Sequence, residues 1–231
     1  MSAKVECIQQ ANAILGEGPV WDWRTGDVYW VDIRRMQLFR HSLDRATQTG
    51  QWAFNARLGF VALTEQPGWL VVGVGLKLLL LEIDTGRTLL LADLDSDRAG
   101  HRINDAAVDA KGRLWVGTMM DDYFGPAEFV DGRLYRVDPD GKASRHGSYL
   151  LPNSIGWSPD NSTMYINDSV ARVTYAVDFD LDGGVAHNQR VLFWAGPSDG
   201  LPDGLSVDAE GNIWCAMWDG WAILKLSPDG R

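Results

Sequence analysis

The chain has 231 residues, 45% of them hydrophobic and 23% charged. A chain of that length hides roughly 70–75% of its unfolded surface on folding, so a substantial core is available. Its 21 Lys and Arg stand against 31 Asp and Glu, a formal charge of −10, which argues against a nucleic-acid backbone or an anionic membrane as partner. The longest apolar run, Leu76–Ile83, is interrupted by Lys77 and Glu82 and falls short of the ~18 residues that span a bilayer. Lys4 and Glu6 stand where a signal peptide would carry its apolar core, and Cys7 and Cys215 are too few for a disulfide framework or a thiolate zinc site. The expectation is a cytoplasmic, disulfide-free monomer. Asp occurs 25 times against 6 for Glu, and Gly 25 times against 5 for Lys, with eleven Trp. Turn and cap formers thus displace the residues of helix interiors, and the reading is all-β.

In chain order, a short strand is expected over Lys4–Gln9. Five repeats follow, each a hairpin of alternating apolar residues around an Asp-, Gly- or Asn-bearing turn. They are GPVWDWRTGDVYWVD from Gly18, ALTEQPGWLVVG from Ala62, AAVDAKGRLWVGTM from Ala106, IGWSPDNSTMYINDS from Ile155 and LSVDAEGNIWCAM from Leu205. The strand after each turn aligns Tyr29, Val71, Trp115, Tyr165 and Trp214, separated by 42, 44, 50 and 49 residues. That is the period of a four-stranded propeller blade, ~40–50 residues. Further strand-like text, GRLYRVDPDG from Gly132 and TYAVDFDLDGG from Thr174, fills the second half of the repeats. A β-sandwich is the competing architecture, but its turn signals recur every 8–12 residues without the longer period. No Pro/Ser-rich linker divides the chain, so one propeller domain is expected over residues 1–231. The text ends at SPDGR, after the third strand of the fifth repeat, and reads as truncated.

Polar residues just ahead of an apolar innermost strand are the candidates for chemistry, because the repeat brings them to one end of the central channel. Glu17 in LGEGPVW, Arg102, Asn104 and Asp105 in HRINDAAVD, Asn153 in LPNSIGW and Asp203 in LPDGLSV meet that description. Oxygen donors without His or Cys make a hard site, suited to Ca²⁺, Mg²⁺ or Mn²⁺, with Zn²⁺ and Fe²⁺ still open. Asp105 is expected to bind neighbouring backbone. Asp109, Asp160 and Asp208 are expected at equivalent positions shaping hairpins, and Asp138 and Asp140 as turn residues. His41, His101, His146 and His187 lack metal spacing. Most Trp residues read as core between blades, with Trp21 or Trp218 available to a sugar, and both cysteines as inert.

LGEGPVWD, RINDAAVDAKGRLWVGTM, LPNSIGWSPD and LPDGLSVDAEGNIW, in that order at blade spacing, resemble the SMP-30/gluconolactonase/regucalcin-like sugar lactonases from about Ile14 to Gly230. The resemblance implies a six-bladed β-propeller, here with its last blade incomplete or missing. It implies one divalent metal ion on Glu17, Asn153 and Asp203, and a substrate pocket with Arg102, Asn104 and, after GTM, Asp121. The implied reaction is hydrolysis of a sugar lactone to its aldonic acid, with Asp203 as general base toward water. Ala106-Ala107 stands where the family usually has Gly-Lys, and Ser154 where it has Gly. The latter is tolerable only at negative φ. A non-enzymatic calcium- or partner-binding propeller of the regucalcin type is the alternative, and an esterase or phosphotriesterase a third.

Overall fold

Each of the five repeats folds into one antiparallel sheet, its strands hydrogen-bonded in chain order. The computed structural model describes residues 6–95, 98–121 and 131–231. The first sheet comprises β1 (Gly16–Asp22), β2 (Asp27–Asp32), β3 (Gln37–Ser42) and β4 (Thr47–Ala53). The second comprises β5 (Leu58–Leu63), β6 (Trp69–Val74), β7 (Lys77–Glu82) and β8 (Thr88–Asp93). The third holds β9 (His101–Val108), β10 (Leu114–Met120), β11 (Gly132–Val137) and β12 (Ala143–Tyr149). The fourth holds β13 (Pro152–Trp157), β14 (Thr163–Asp168), β15 (Val173–Asp180) and β16 (Val185–Trp194). The fifth has three strands, β17 (Leu201–Val207), β18 (Ile213–Trp218) and β19 (Ala222–Leu226). The innermost strands pack in sequence, β1 on β5, β5 on β9, β9 on β13 and β13 on β17. This is a β-propeller with five blades among the described residues, which contain no helix. A sixth sheet is not among them.

The core lies between sheets, which is why strand alternation alone could locate it. Tyr29 and Leu38 meet Leu58, Leu70 and Leu81 across the first interface. Phe60 and Leu78 meet Ile103 and Val116 across the second. Trp115 and Leu134 meet Ile155, Met164 and Phe179 across the third. Tyr165 and Ala176 meet Ile213 and Leu226 across the fourth. Each such side chain, once fully buried, contributes about 1.5–3 kcal/mol. Of the five aligned repeat positions, Tyr29, Val71, Trp115 and Tyr165 are buried. Trp214 is 43% exposed, because its face of the fifth sheet has no further sheet packed on it among the described residues.

Several expectations change. Lys4 and Val5 of the expected first strand lie outside the described residues, and residues 6–9 join no sheet. Trp residues are not mostly core: Trp115 is fully buried, whereas Trp21, Trp23, Trp194, Trp214, Trp218 and Trp221 are exposed. Those on the first and fifth blades or their turns lie where one sheet face lacks a neighbour among the described residues, and Trp194 ends the outermost strand of the fourth. Asp160 does not share the role of Asp109 and Asp208. Those two anchor their β-turns by pairing with Arg113 and Asn212 through the backbone, and the residue so paired in the fourth blade is Ser158, with Thr163. One extra residue in that turn, with Asn161 at φ 58, shifts the alignment.

Candidate functional site

All five innermost strands carry the same irregularity: one extra residue relative to the partner strand, between Glu17 and Val20, Leu58 and Val61, Ile103 and Ala106, Pro152 and Ile155, and Pro202 and Leu205. A bulge of this kind bends the strand and re-aims a side chain. In repeat register the bulged position is Glu17, Gly59, Asn104, Asn153 and Asp203. Two residues earlier in each repeat stand Leu15, Arg57, Arg102, Leu151 and Leu201. Nine of these ten line one cavity of about 350 Å³ at that end of the channel, together with Arg34, Met119, Ser169, Val170 and Trp218. Gly59 has a steric reason to be glycine, since a Cβ there would lie 2.3 Å from the Ile103 carbonyl oxygen. A larger groove of about 960 Å³ runs along β4 and the second sheet, but none of the expected site residues lines it.

Two buried aspartates set the approach to the bulges. Asp32 accepts hydrogen bonds from the backbone N–H of Ile14 (2.9 Å), Leu15 (3.3 Å) and Arg35 (3.1 Å). Asp168 accepts the equivalent three, from Leu150 (2.8 Å), Leu151 (2.9 Å) and Ala171 (3.2 Å). Each carboxylate therefore pins the chain two residues ahead of Glu17 or Asn153. Ser169 extends the arrangement: its hydroxyl donates to the Pro202 carbonyl at 2.6 Å and receives the Asn153 amide at 3.1 Å. Asn167 donates to the Asp203 carbonyl at 2.7 Å and accepts from Thr174 at 2.7 Å. The sequence pattern held a signal for Asp32 and Asp168, which close the matching strands VYWVD and MYIND.

The acidic side of the cavity is made of Glu17 and Asp203. Withdrawal from water pushes the Glu17 carboxyl up to about 8, with Asp203 and then Asp105 adding to the shift and Arg102 opposing it. Burial likewise raises Asp203 to about 6, helped by Asp105 and opposed by the hydrogen bond from Asn153. That bond, Asn153 Nδ2 to Asp203 Oδ1, is 2.5 Å. With its nitrogen engaged by Asp203 and Ser169, the Asn153 carbonyl oxygen is the end available to a cation. Asp105 accepts from the Ala106 N–H at 2.7 Å and its carboxyl is raised chiefly by burial. It does not line the cavity. Ser154 is not among the residues at positive φ, which meets the condition set for its replacing Gly.

The basic side is Arg102, Arg57 and Arg34. Arg102 is buried and donates to Asp121 Oδ1 (3.0 Å), Asn104 Oδ1 (3.0 Å) and the Ile103 carbonyl (3.0 Å). Asn104, also buried, donates to the Pro152 carbonyl at 3.4 Å. Asp121 does not itself line the cavity; its Oδ1 holds Arg57 at 2.8 Å as well as Arg102. Desolvation lowers the Arg102 pKa, and repulsion from Arg57 adds to that, against the attraction of Asp121 and Glu17. Arg57 occupies the repeat position of Arg102, one blade earlier, and only the bulge register reveals the match. Trp218 lines the cavity and Trp21 does not.

Glu17, Asn153 and Asp203 thus offer two carboxylates and an amide oxygen, a donor set that fits a hard divalent cation. Among the described residues no three His, Cys, Asp or Glu side chains form such a group, so the amide is an essential member. Two desolvated carboxyls in one cavity, with Asp203 raising the pKa of Glu17, are what a bound cation would relieve. His41 and Cys215 are buried, and Cys215 accepts from Asn167 at 3.3 Å.

Comparison with known proteins agrees with this fold. The SMP-30/Gluconolactonase/LRE-like region family matches residues 15–231. Regucalcin of Oryctolagus cuniculus is 33% identical over 232 residues, covering 99% of this chain and 76% of the relative. The crystal structure of a calcium-binding regucalcin from Agrobacterium tumefaciens superposes with a TM-score of 0.89 at 30% identity, covering 97% of this chain and 74% of that one. A gluconolactonase from Xanthomonas campestris superposes with a TM-score of 0.77 at 25% identity, covering 95% and 74%. The chain belongs to the SMP-30/gluconolactonase/LRE-like family of β-propellers.

Proposed function

We propose that this protein is a divalent-metal-dependent hydrolase that opens a sugar lactone to its aldonic acid. The observation that carries the reading is the convergence of Glu17, Asn153 and Asp203 with Arg102 and Asn104 in one cavity. A gluconolactonase among the structural neighbours supports the reaction class. Glu17, Asn153 and Asp203 would hold the ion, which when bound supplies Lewis-acid polarisation of the lactone carbonyl. Asp203 is the general base: its carboxylate, held by Asn153, takes a proton from the attacking water. The water oxygen bonds to the acyl carbon, the ring C–O bond breaks, and Asp203 returns the proton it took to the departing ring oxygen, which becomes a hydroxyl. Arg102 and Asn104 orient the sugar hydroxyls, and Arg102 adds a fixed positive charge where the oxyanion develops. Asp121 fixes Arg102 in place. The five sheets are read as five blades of a six-bladed plan, with the Trp214, Trp218 and Ile223 face of the fifth sheet as the seat of the sixth.

The regucalcin relatives and the calcium-binding neighbour favour a second reading, a propeller that binds Ca²⁺ at the same donors without turnover. A pH-indicator assay with glucono-1,5-lactone separates the two, run with chelator and after return of single cations, with spontaneous opening subtracted. Metal-dependent turnover above background is expected. Tight cation binding without turnover of any aldonolactone would establish the binder instead.

A further inference from the structure

Ser169 breaks the pattern of its repeat. One residue beyond the strand partners of Gly16, Leu58, Ile103, Pro152 and Pro202 stand Ile33, Gly75, Met119, Ser169 and Trp218. Four of these are apolar or glycine, and Ser169 alone carries a hydroxyl. It is 5% exposed and lines the 350 Å³ cavity. Burying a hydroxyl costs free energy unless its hydrogen bonds are made. A hydroxyl has one proton to give. The Pro202 carbonyl can only accept, so at 2.6 Å it takes that proton. Only lone pairs remain on Ser169 Oγ, and Asn153 at 3.1 Å must turn its NH₂ toward them. Turned over, the amide would set its own oxygen against the Ser169 oxygen with no proton between. The other N–H of Asn153 goes to Asp203 Oδ1 at 2.5 Å.

We propose that Ser169 is a positioning residue of the cation site, holding the Asn153 amide with its nitrogen turned away and its oxygen toward the ion. This rests on the reading of Glu17, Asn153 and Asp203 as ligands. The pattern across the blades follows from it. A carboxylate presents oxygen at either end, so Glu17 and Asp203 need no such device, and their blades have Ile33 and Trp218 at the position of Ser169. Asn153 is the one ligand with a wrong end. Asn104, the other amide at a bulge, is oriented instead by Arg102, which donates to its oxygen at 3.0 Å. Of the two acceptors on the Asn153 nitrogen, Asp203 is itself a ligand, so a cation competes for its oxygens. Ser169, fixed by the Pro202 carbonyl, is the acceptor that does not depend on the ion. Partners of this kind set the orientation of a metal-binding group and commonly change affinity 10- to 100-fold.

The test is titration calorimetry of metal-stripped protein with Ca²⁺ alone and with Mn²⁺ alone, in a cycle of Ser169→Ala, Asn153→Ala and the double variant. Ser169→Ala is expected to lower cation affinity by about 10-fold or more. In the Asn153→Ala background the same change should cost no more than about 2-fold, because a residue acting through an absent partner has little left to do. Equal factors in the two backgrounds would overturn the proposal, since Ser169 would then act through Pro202 and the strand alone. So would wild-type affinity in Ser169→Ala. NMR reads the orientation without any metal: the side-chain amide pair that disappears in Asn153→Ala should shift in Ser169→Ala, and an unmoved pair is a second refutation. Ser169→Cys, close in shape but with a weakly bonding thiol, covers the case in which Ser169→Ala does not fold. If Asn153→Ala binds both cations as tightly as the wild type, the ligand reading fails and this proposal with it. A weak Asn153→Ala beside an unchanged Ser169→Ala leaves the ligands standing and removes only the role of Ser169.

Discussion

Asp168 is where fold and site are most tightly joined, and Asp168→Asn is the substitution that separates them. The side chain is 2% exposed and accepts three backbone N–H groups at 2.8, 2.9 and 3.2 Å. Asn keeps the shape but offers one oxygen. Two of the donors, Leu151 and Ala171, share Oδ1 and can be retained. The third, Leu150, would face an NH₂ group and be left unpaired. A buried unsatisfied donor costs about 1–3 kcal/mol, and the surviving bonds lose the part owed to the carboxylate charge. Together these give about 2–4 kcal/mol, which in a chain of this size lowers the melting midpoint by roughly 5–15 °C.

The same substitution has a functional consequence. Once the Leu150–Leu151 segment is released, Asn153 no longer has a fixed approach to Asp203 and Ser169. Outer positions of this kind typically change metal affinity 10- to 100-fold, so divalent-cation affinity should fall by about that much. Thermal melts with and without cation, alongside titration calorimetry, measure both effects on one sample. Asp160→Asn, in an exposed turn, serves as the control with no resolvable change. Should Asp168→Asn melt within a degree or two of the wild type, the three-donor account is wrong. Early melting with unchanged cation affinity would sever the link to Asn153.

Other substitutions probe separate steps. Asp203→Ala should abolish cation binding and turnover together, whereas Asn153→Ala, which removes a neutral donor, should weaken the cation and leave measurable turnover at saturating metal; near-normal turnover in Asp203→Ala would refute its assignment as base. Gly59→Ala drives a Cβ against the backbone of Ile103 and Asn104, so a loss of about 1–3 kcal/mol in a denaturant melt and an altered KM are expected. Asp109→Ala strips partners from Arg113 (2.7 Å) and Trp115 (3.0 Å) and should cost about 3–5 kcal/mol, as buried ion pairs do when one member is removed. Asp208→Ala, which makes the matching contacts to Asn212 and to the exposed Trp214, should shift the midpoint clearly less; equal shifts would contradict the burial argument.

What the sequence made legible was whatever repeats. Hairpins announce themselves through period-two alternation, and spacing of 42 to 50 residues between Tyr29, Val71, Trp115, Tyr165 and Trp214 marks one blade after another. Glu17, Asn104, Asn153 and Asp203 were legible for the same reason, since each stands at one repeat position. Arg57 was not. Its blade has Gly59 where the others have a polar side chain, so the segment resembles none of the four that drew attention. Only the extra residue in each innermost strand shows that Arg57 and Arg102 are the same position. Asp32 and Asp168 repeat too, yet their role depends on which backbone N–H groups come within reach, and that is set by how the first strand of a sheet turns into its blade. Asp160 misled for the opposite reason: a one-residue insertion moved it out of register while leaving a plausible turn. Symmetry in this chain therefore places side chains at the channel, and departures from it decide their charge. Glu17 and Asp203 at two blades make the site acidic, while Arg57 and Arg102 at two adjacent blades make the other side basic. A cavity with such opposed walls carries a field that orients a polar ligand before any reaction occurs.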